Sequence, residues 1–452
     1  MRKLFRLEEN NTNVRTEIIA GATTFLSMAY ILAVNPNMLA DAGMDSNAVF
    51  TATAISAAVA TLIMAFLSNY PVALASGMGL NAYFTYSVCI PLAQQGINDP
   101  WKIALTAVLL EGIIFILLSI CKFREKLIND VPPNLKYGIT VGIGLFITLI
   151  GLSNAGIVIA SNSTLVDLGI VPSAPFALAF LGFIIICILH HYRVICPILW
   201  GMLATWGFGM LAQYIGWYDV DIELGHFTVF PEFSNFDFVP AMPSLFAFDF
   251  GFITENFMQF AVIVFSFLFV DLFDTVGGLI GIADKAQLLD ENGKLPKASG
   301  ALLSDAIGTV VGACLGTSTV TTYMESCAGV GQGGRTGLTS VSTAAFFILA
   351  LFFSPIFLAI PGFATAPALM FVGWLMISSV KKMNFEHDIA DSIGGFVAII
   401  MMPFTYSIAN GIMFGILSWV ILKIFAGKAK DIPLIMWISS ILFILRIITM
   451  MI

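Results

Sequence analysis

Charge is what this chain has least of: only 11% of its 452 residues are Asp, Glu, Lys or Arg. With 20 basic residues against a net charge of -8 there is no basic patch, so no nucleic-acid partner is expected. The four histidines show no HExxH or other ligand spacing, which argues against a metalloprotease and leaves no expected metal site. The six cysteines lie scattered in apolar runs without a CxxC pair, which suits buried thiols better than a disulfide or zinc framework. No GxxxxGK followed by Ser or Thr is present, so ATP hydrolysis is not expected. A TVGYG-type filter and a periodic arginine series are both missing, which argues against a channel or a voltage sensor. No enzyme chemistry and no cofactor are expected.

What is abundant is apolar surface. Residues of the AVILMFWYC set make up 58% of the chain, and the mean hydropathy is +0.94, the composition of a polytopic membrane protein. The opening MRKLFRLEENNTNVRTE is too polar for a signal peptide, so the first span is expected to stay in the mature protein. Fourteen spans are expected, at 16–34, 48–68, 70–90, 101–121, 135–152, 175–191, 196–213, 254–275, 298–314, 317–337, 338–358, 365–380, 390–404 and 407–425. With the N-terminus in the cytoplasm, every Lys and Arg except Lys102 and Arg446 falls on the cytoplasmic side, as the positive-inside rule requires. The connection 214–253 is acidic and aromatic and is placed outside; the stretch 432–452 reads as a further span or an interfacial helix.

Seven spans precede the long outer connection and seven follow it, so the second half enters the bilayer from the opposite side. That is the topology of an inverted-repeat transporter. The third span of each half, SNYPVALASGMGLNAYFTYSV and GTSTVTTYMESCAGVGQGGRTG, begins with Pro, Thr or β-branched residues and then becomes glycine-punctuated. The expectation is an all-α polytopic fold in which spans three and ten run as short extended stretches into half-helices, starting near Gly79–Asn81 and Met324–Glu325. Such interruptions at matching places point to a midplane binding site.

Acids inside the bilayer are costly and tend to line a polar path. Asp271 and Asp274 sit one turn apart in FSFLFVDLFDTVGGLIG, with Thr275 on the same face. Asp271 is the stronger candidate, because Asp274 lies closer to the solvated end of the span. Glu325 falls where the second half-helix begins, a position that stabilises an acid whatever its function. Asn81 can cap the first half-helix or hydrogen-bond a heterocycle edge. Tyr323 and Tyr83 can stack on a planar ligand, although packing is the default for an aromatic. Met324 adjoins the same half-helix start, and Thr24 and Ser27 of span one are weaker candidates, since such hydroxyls often bond back to their own helix.

The blocks TEIIAGATTFLSMAYILAVNPNML, GMGLNAYFTYSV, FVDLFDTVGGLIGIA, TTYMESCAGVGQGGRTGLTSV and IIMMPFTYSIANGI resemble the adenine/guanine/hypoxanthine permease branch of the xanthine/uracil permease (nucleobase-cation symporter) family. The resemblance implies a core domain (16–121 and 254–358) and a gate domain (135–213 and 365–425), joined through the outer loop 214–253. It implies a purine nucleobase as substrate, with Asp271, Glu325 and Asn81 at the family's functional positions; Tyr323, Met324 and Thr24 complete the candidate binding residues. Asp271, Asp274 and Glu325 carry the proton coupling, with sodium less expected. A plasma-membrane importer follows, and a homodimer is compatible with it. The chemistry is coherent: an ionised carboxylate offers only acceptors to the ring N–H groups of a purine. A same-fold anion transporter and a sodium-coupled nucleobase carrier are the alternatives, the former fitting poorly with acids in the core.

Overall fold

The computed structural model describes residues 2–120, 131–161, 164–171, 173–220, 228–230, 239–286, 288, 295–386 and 388–451. Cys121, Lys122, Arg124, Lys126, His226, Lys294 and His387, which figure in the cysteine, histidine and charge patterns above, lie outside them. Helices α1 (Val14–Met28) and α2 (Ile31–Ala40) form one interrupted rod, followed by α3 (Ser46–Leu67). Strand β1 (Leu74–Ser76) runs into α4 (Met78–Ala82), a π-helical stretch (Tyr83–Cys89) and α5 (Ile90–Gln94). Next come α6 (Pro100–Ile120), α7 (Pro133–Asn154), the hairpin β2 (Val158–Ser161) and β3 (Leu165–Leu168), α8 (Ala174–His191) and α9 (Pro197–Tyr214). The second half holds α10 (Gly251–Glu255), α11 (Phe257–Lys285), α12 (Ala298–Leu315), β4 (Val320–Thr322), α13 (Ser326–Gly331) and α14 (Gly337–Ala350). It closes with α15 (Ser354–Leu358), α16 (Gly362–Ile377), α17 (Ile389–Phe404), α18 (Ile408–Phe425) and α19 (Leu434–Met451).

Local sequence explains many of the helix starts. Asn13, Asp45, Thr336, Asp388 and Ser407 are N-caps whose side chains accept a backbone N–H of the first turn. Pro133 and Pro197 stand in first turns, where the missing N–H costs nothing. Among the described residues, nine helices are long and apolar enough to cross a membrane. The protein is thus a mostly helical, multi-pass membrane protein.

Two expectations need correction. The fold is not purely α: β2 and β3 form an antiparallel hairpin between α7 and α8, where β-branched and polar residues alternate too briefly to have been read as strands. The first span is not a short helix ending at residue 34 but a 27-residue segment, Val14–Ala40, broken at Ala29 and Tyr30. Pro36 does not end it, because the residues around it continue helical within the buried interior.

Strands β1 and β4 pair antiparallel, with Leu74 opposite Thr322, Ala75 opposite Thr321 and Ser76 opposite Val320. This ribbon is buried within the helices, and each strand finds in the other the backbone partners that lipid cannot supply. Antiparallel pairing sends α4 and α13 away from opposite ends of the ribbon. Around it α3, α6 and α12 pack together, with α14 on α3 and α1 against both α13 and α14. A second set joins α7 to α16 and α17, α17 to α18, and α8 to α9 and α16. Small residues allow these approaches: a Cβ on Gly138 would stand 2.6 Å from the carbonyl oxygen of Gly395, so α7 and α17 touch backbone to backbone.

Candidate functional site at the strand crossing

The crossing of β1 and β4 gathers most of the buried polar groups. Tyr323, just past β4, donates its hydroxyl to the Ser76 carbonyl of β1 at 2.6 Å, pinning the two strands together. The Ser76 hydroxyl donates to Asn81 Oδ1 at 2.7 Å. Asn81 is fully buried inside α4, whose N-cap is Gly77, so Asn81 is not itself a cap. Its Nδ2 is buried without a hydrogen-bond partner among the described residues, an amide donor free for a ligand. Gly77 is required where it stands: a Cβ there would lie 2.5 Å from Thr321 Cγ2.

The acids separate into two groups. Glu325 is the N-cap of α13 and is partly exposed; its Oε1 accepts the Tyr30 hydroxyl at 2.5 Å. Asp274 is also partly exposed, and its charge interacts with those of Glu325 and Asp305. Asp271 is fully buried behind them, as is Asp305 of α12. Those two are bridged by Thr275, whose hydroxyl lies 3.0 Å from Asp271 Oδ1, 2.8 Å from Asp305 Oδ1 and 2.8 Å from Thr321 Oγ1. One hydroxyl hydrogen can serve only one of those oxygens, so another member of the group must donate to Thr275.

The remaining candidates are placed as follows. Met324 is half exposed beside Glu325. Thr24 is buried on α1 with no partner for its hydroxyl among the described residues, pressed against α13 where a Cβ on Gly329 would be 2.1 Å from Thr24 Oγ1. Ser27 faces the Cys196 thiol at 3.3 Å. Tyr83 meets Phe267 edge to face, 4.7 Å between centroids, so its ring is used in packing.

Sequence reasoning missed Tyr30, Asp305 and Glu111. Asp305 and Glu111 carried the same signal as Asp271, an acid inside an apolar run, and could have been found by it. Glu111, in α6, accepts the Thr319 hydroxyl at 2.7 Å. Tyr30 had no such signal, because one tyrosine in SMAYILAV reads as packing.

The profile of the permease family matches residues 15–436. The chain belongs to the xanthine/uracil permease family. Within it, this permease is 40% identical over 448 residues to the adenine permease AdeP of Escherichia coli, covering 99% of this chain and 96% of that one. It is 42% identical over 455 residues to the guanine/hypoxanthine permease PbuO of Bacillus subtilis, covering 98% and 99% of the two chains. The fold is shared with the transmembrane domain of a cyanobacterial bicarbonate transporter, BicA, at a TM-score of 0.64 and 15% identity over 89% of this chain and 97% of that one. The family and these relatives make the protein a transporter rather than an enzyme.

Proposed function

We propose that this permease imports purine nucleobases by proton symport across the plasma membrane, with its N-terminus in the cytoplasm. Its two seven-span inverted repeats move a core against a gate to give alternating access. The observation that carries this reading is the pair of partly exposed acids, Asp274 and Glu325, at the strand crossing, where Asp274 Oδ2 would lie 3.6 Å from a Cβ on Gly77, the N-cap of the helix that carries the buried Asn81 amide. Acceptors alone suit the ring N–H edge of a purine, while an amide donor suits a ring nitrogen or carbonyl oxygen. The names of the relatives, adenine and guanine/hypoxanthine permeases, support the same substrate class.

In this reading Asp274 replaces Asp271 as the partner of Glu325 at the base. Asp271 and Asp305, held by Thr275, stand behind the site and carry or relay the proton. The core is the set of helices around β1 and β4, and the gate is the set built on α7, α8, α16 and α17.

Labelled adenine, guanine and hypoxanthine would be offered to cells lacking their own purine permeases and expressing this chain. At least one base should accumulate, and a protonophore should abolish the accumulation while leaving exchange of labelled for unlabelled base. Asp274→Asn and Glu325→Gln each turn an acceptor into a donor facing an N–H. Each should weaken binding by about 1–3 kcal/mol, roughly tenfold to a hundredfold. Inhibition by bicarbonate or sulfate without any purine effect would overturn the substrate assignment. Strict dependence on added sodium, with no response to a protonophore, would transfer the coupling role to sodium.

A further inference from the structure

We infer that Tyr30 is a positioning residue of the binding site: from the break in the first span, its hydroxyl holds one oxygen of Glu325 and so presents the other to the substrate. This rests on the proposed role of Glu325. Tyr30 lies between α1 and α2, at the middle of the 27-residue segment, and is 1% exposed. Tyr30 keeps right-handed helical backbone angles, and from that turn of the rod its hydroxyl reaches Glu325 Oε1, at the start of α13, at 2.5 Å. Tyr323, the other tyrosine close to this acid, cannot take the role, since its hydroxyl donates to the Ser76 carbonyl at 2.6 Å. Glu325 begins a short helix, and its carboxylate takes a hydrogen bond from its own backbone N–H beside the one from Tyr30. A carboxylate with one oxygen occupied by a fixed donor has its plane set, and a pre-set acceptor binds more tightly than one that must be ordered on binding.

Purified full-length protein carrying Tyr30→Phe, Glu325→Gln, Glu325→Asp and the Tyr30→Phe/Glu325→Asp double would be titrated with whichever of adenine, guanine or hypoxanthine the parent takes up. Thermal melting would check that each variant is folded. Tyr30→Phe keeps the ring and should raise Kd about tenfold, the scale of one hydrogen bond to a charged group. Glu325→Asp withdraws the carboxylate by one methylene and should raise Kd by a similar factor. In the Glu325→Asp background, Tyr30→Phe should change Kd by less than about twofold, because the shorter side chain has already withdrawn the carboxylate from the Tyr30 hydroxyl. A merely structural tyrosine would give equal weakening in every background. That result, or a Kd for Tyr30→Phe within about twofold of the parent while Glu325→Gln is impaired, overturns the inference and leaves the site standing. A parental Kd for Glu325→Gln removes the site itself, and the inference with it.

Discussion

A carboxylate can be buried in a membrane protein for structure alone, and Glu17 illustrates how. It is fully buried in α1, and its oxygens accept the backbone N–H groups of Arg335 (3.0 Å), Thr336 (3.3 Å) and Thr339 (3.1 Å) and the hydroxyls of Thr336 (2.9 Å) and Thr339 (2.6 Å). It thereby satisfies the open donors at the start of α14 and fixes α1 to that helix. Glu325 differs in being partly exposed, with one tyrosine hydroxyl on one oxygen. Glu17→Gln would set an amide N–H against this ring of donors, at a cost of about 1–3 kcal/mol. The purified variant should melt several degrees lower while its Kd for purine stays unchanged, and an unaltered melting temperature would refute the structural role. Depth in an apolar run identifies an acid worth attention, but only its partners separate a clamp from a binding group.

Among the elements, the extended stretches β1 and β4 were legible because Pro, Thr and β-branched residues disfavour the helix just where they form. The break at Tyr30 was not, since SMAYILAV contains neither Gly nor Pro at that point and Ala29 and Tyr30 both keep right-handed helical backbone angles. A different contact fastens α17 to α18. Asp388, the N-cap of α17, lies 2.7 Å from Lys423 Nζ and 3.2 Å from Lys428 Nζ, while Asp391 accepts the Trp419 indole N–H at 2.5 Å. The hydrogen bond from Lys423 holds the Asp388 carboxyl below the usual carboxylate range. A depressed folded-state pKa adds stability that is complete above the unfolded value, about 3.9, and is lost as pH falls through the folded one. Asp388→Asn should therefore lower the melting temperature by a constant amount from pH 8 to 5, the gap narrowing only below about pH 4. A gap that changes between pH 8 and 6 would show that another group is responsible.

On the scale of the whole molecule, Tyr86 is one place where the two proposed moving bodies meet. The Tyr86 hydroxyl donates to Asp41 at 2.7 Å and lies 3.5 Å from Asn154 Nδ2. The Tyr86 ring stands 6.1 Å from that of Tyr406. Deeper in, Gly79 of α4 faces α7, where a Cβ would stand 2.8 Å from Ile143 Cγ2. Gly79→Ala adds a methyl group at this contact, outside the groups that hold the base. If α4 slides past α7 during transport, the maximal uptake rate should fall severalfold while Kd changes by less than about twofold, the overpacking costing about 1–3 kcal/mol along the path. An unchanged rate, with the variant present in the membrane at parental levels, would mean that these helices do not move against each other.

The multi-pass helical nature of the chain and the extended character of 74–76 and 320–322 were determined by sequence alone. These follow from the apolar runs and from local backbone preference, which act over a few residues, whereas the pairing of β1 with β4 is tertiary. Tertiary structure alone decided which acids share a space. Asp271 and Asp274 are one helical turn apart, yet the packing of α12 and β4 against α11 buries the first with Asp305 and Thr275 and leaves the second partly open beside Glu325. It also brought Tyr30 to Glu325 across 295 residues of chain. A carboxylate has the same chemistry wherever it occurs in a sequence, and its role depends on the donors that the fold places against it.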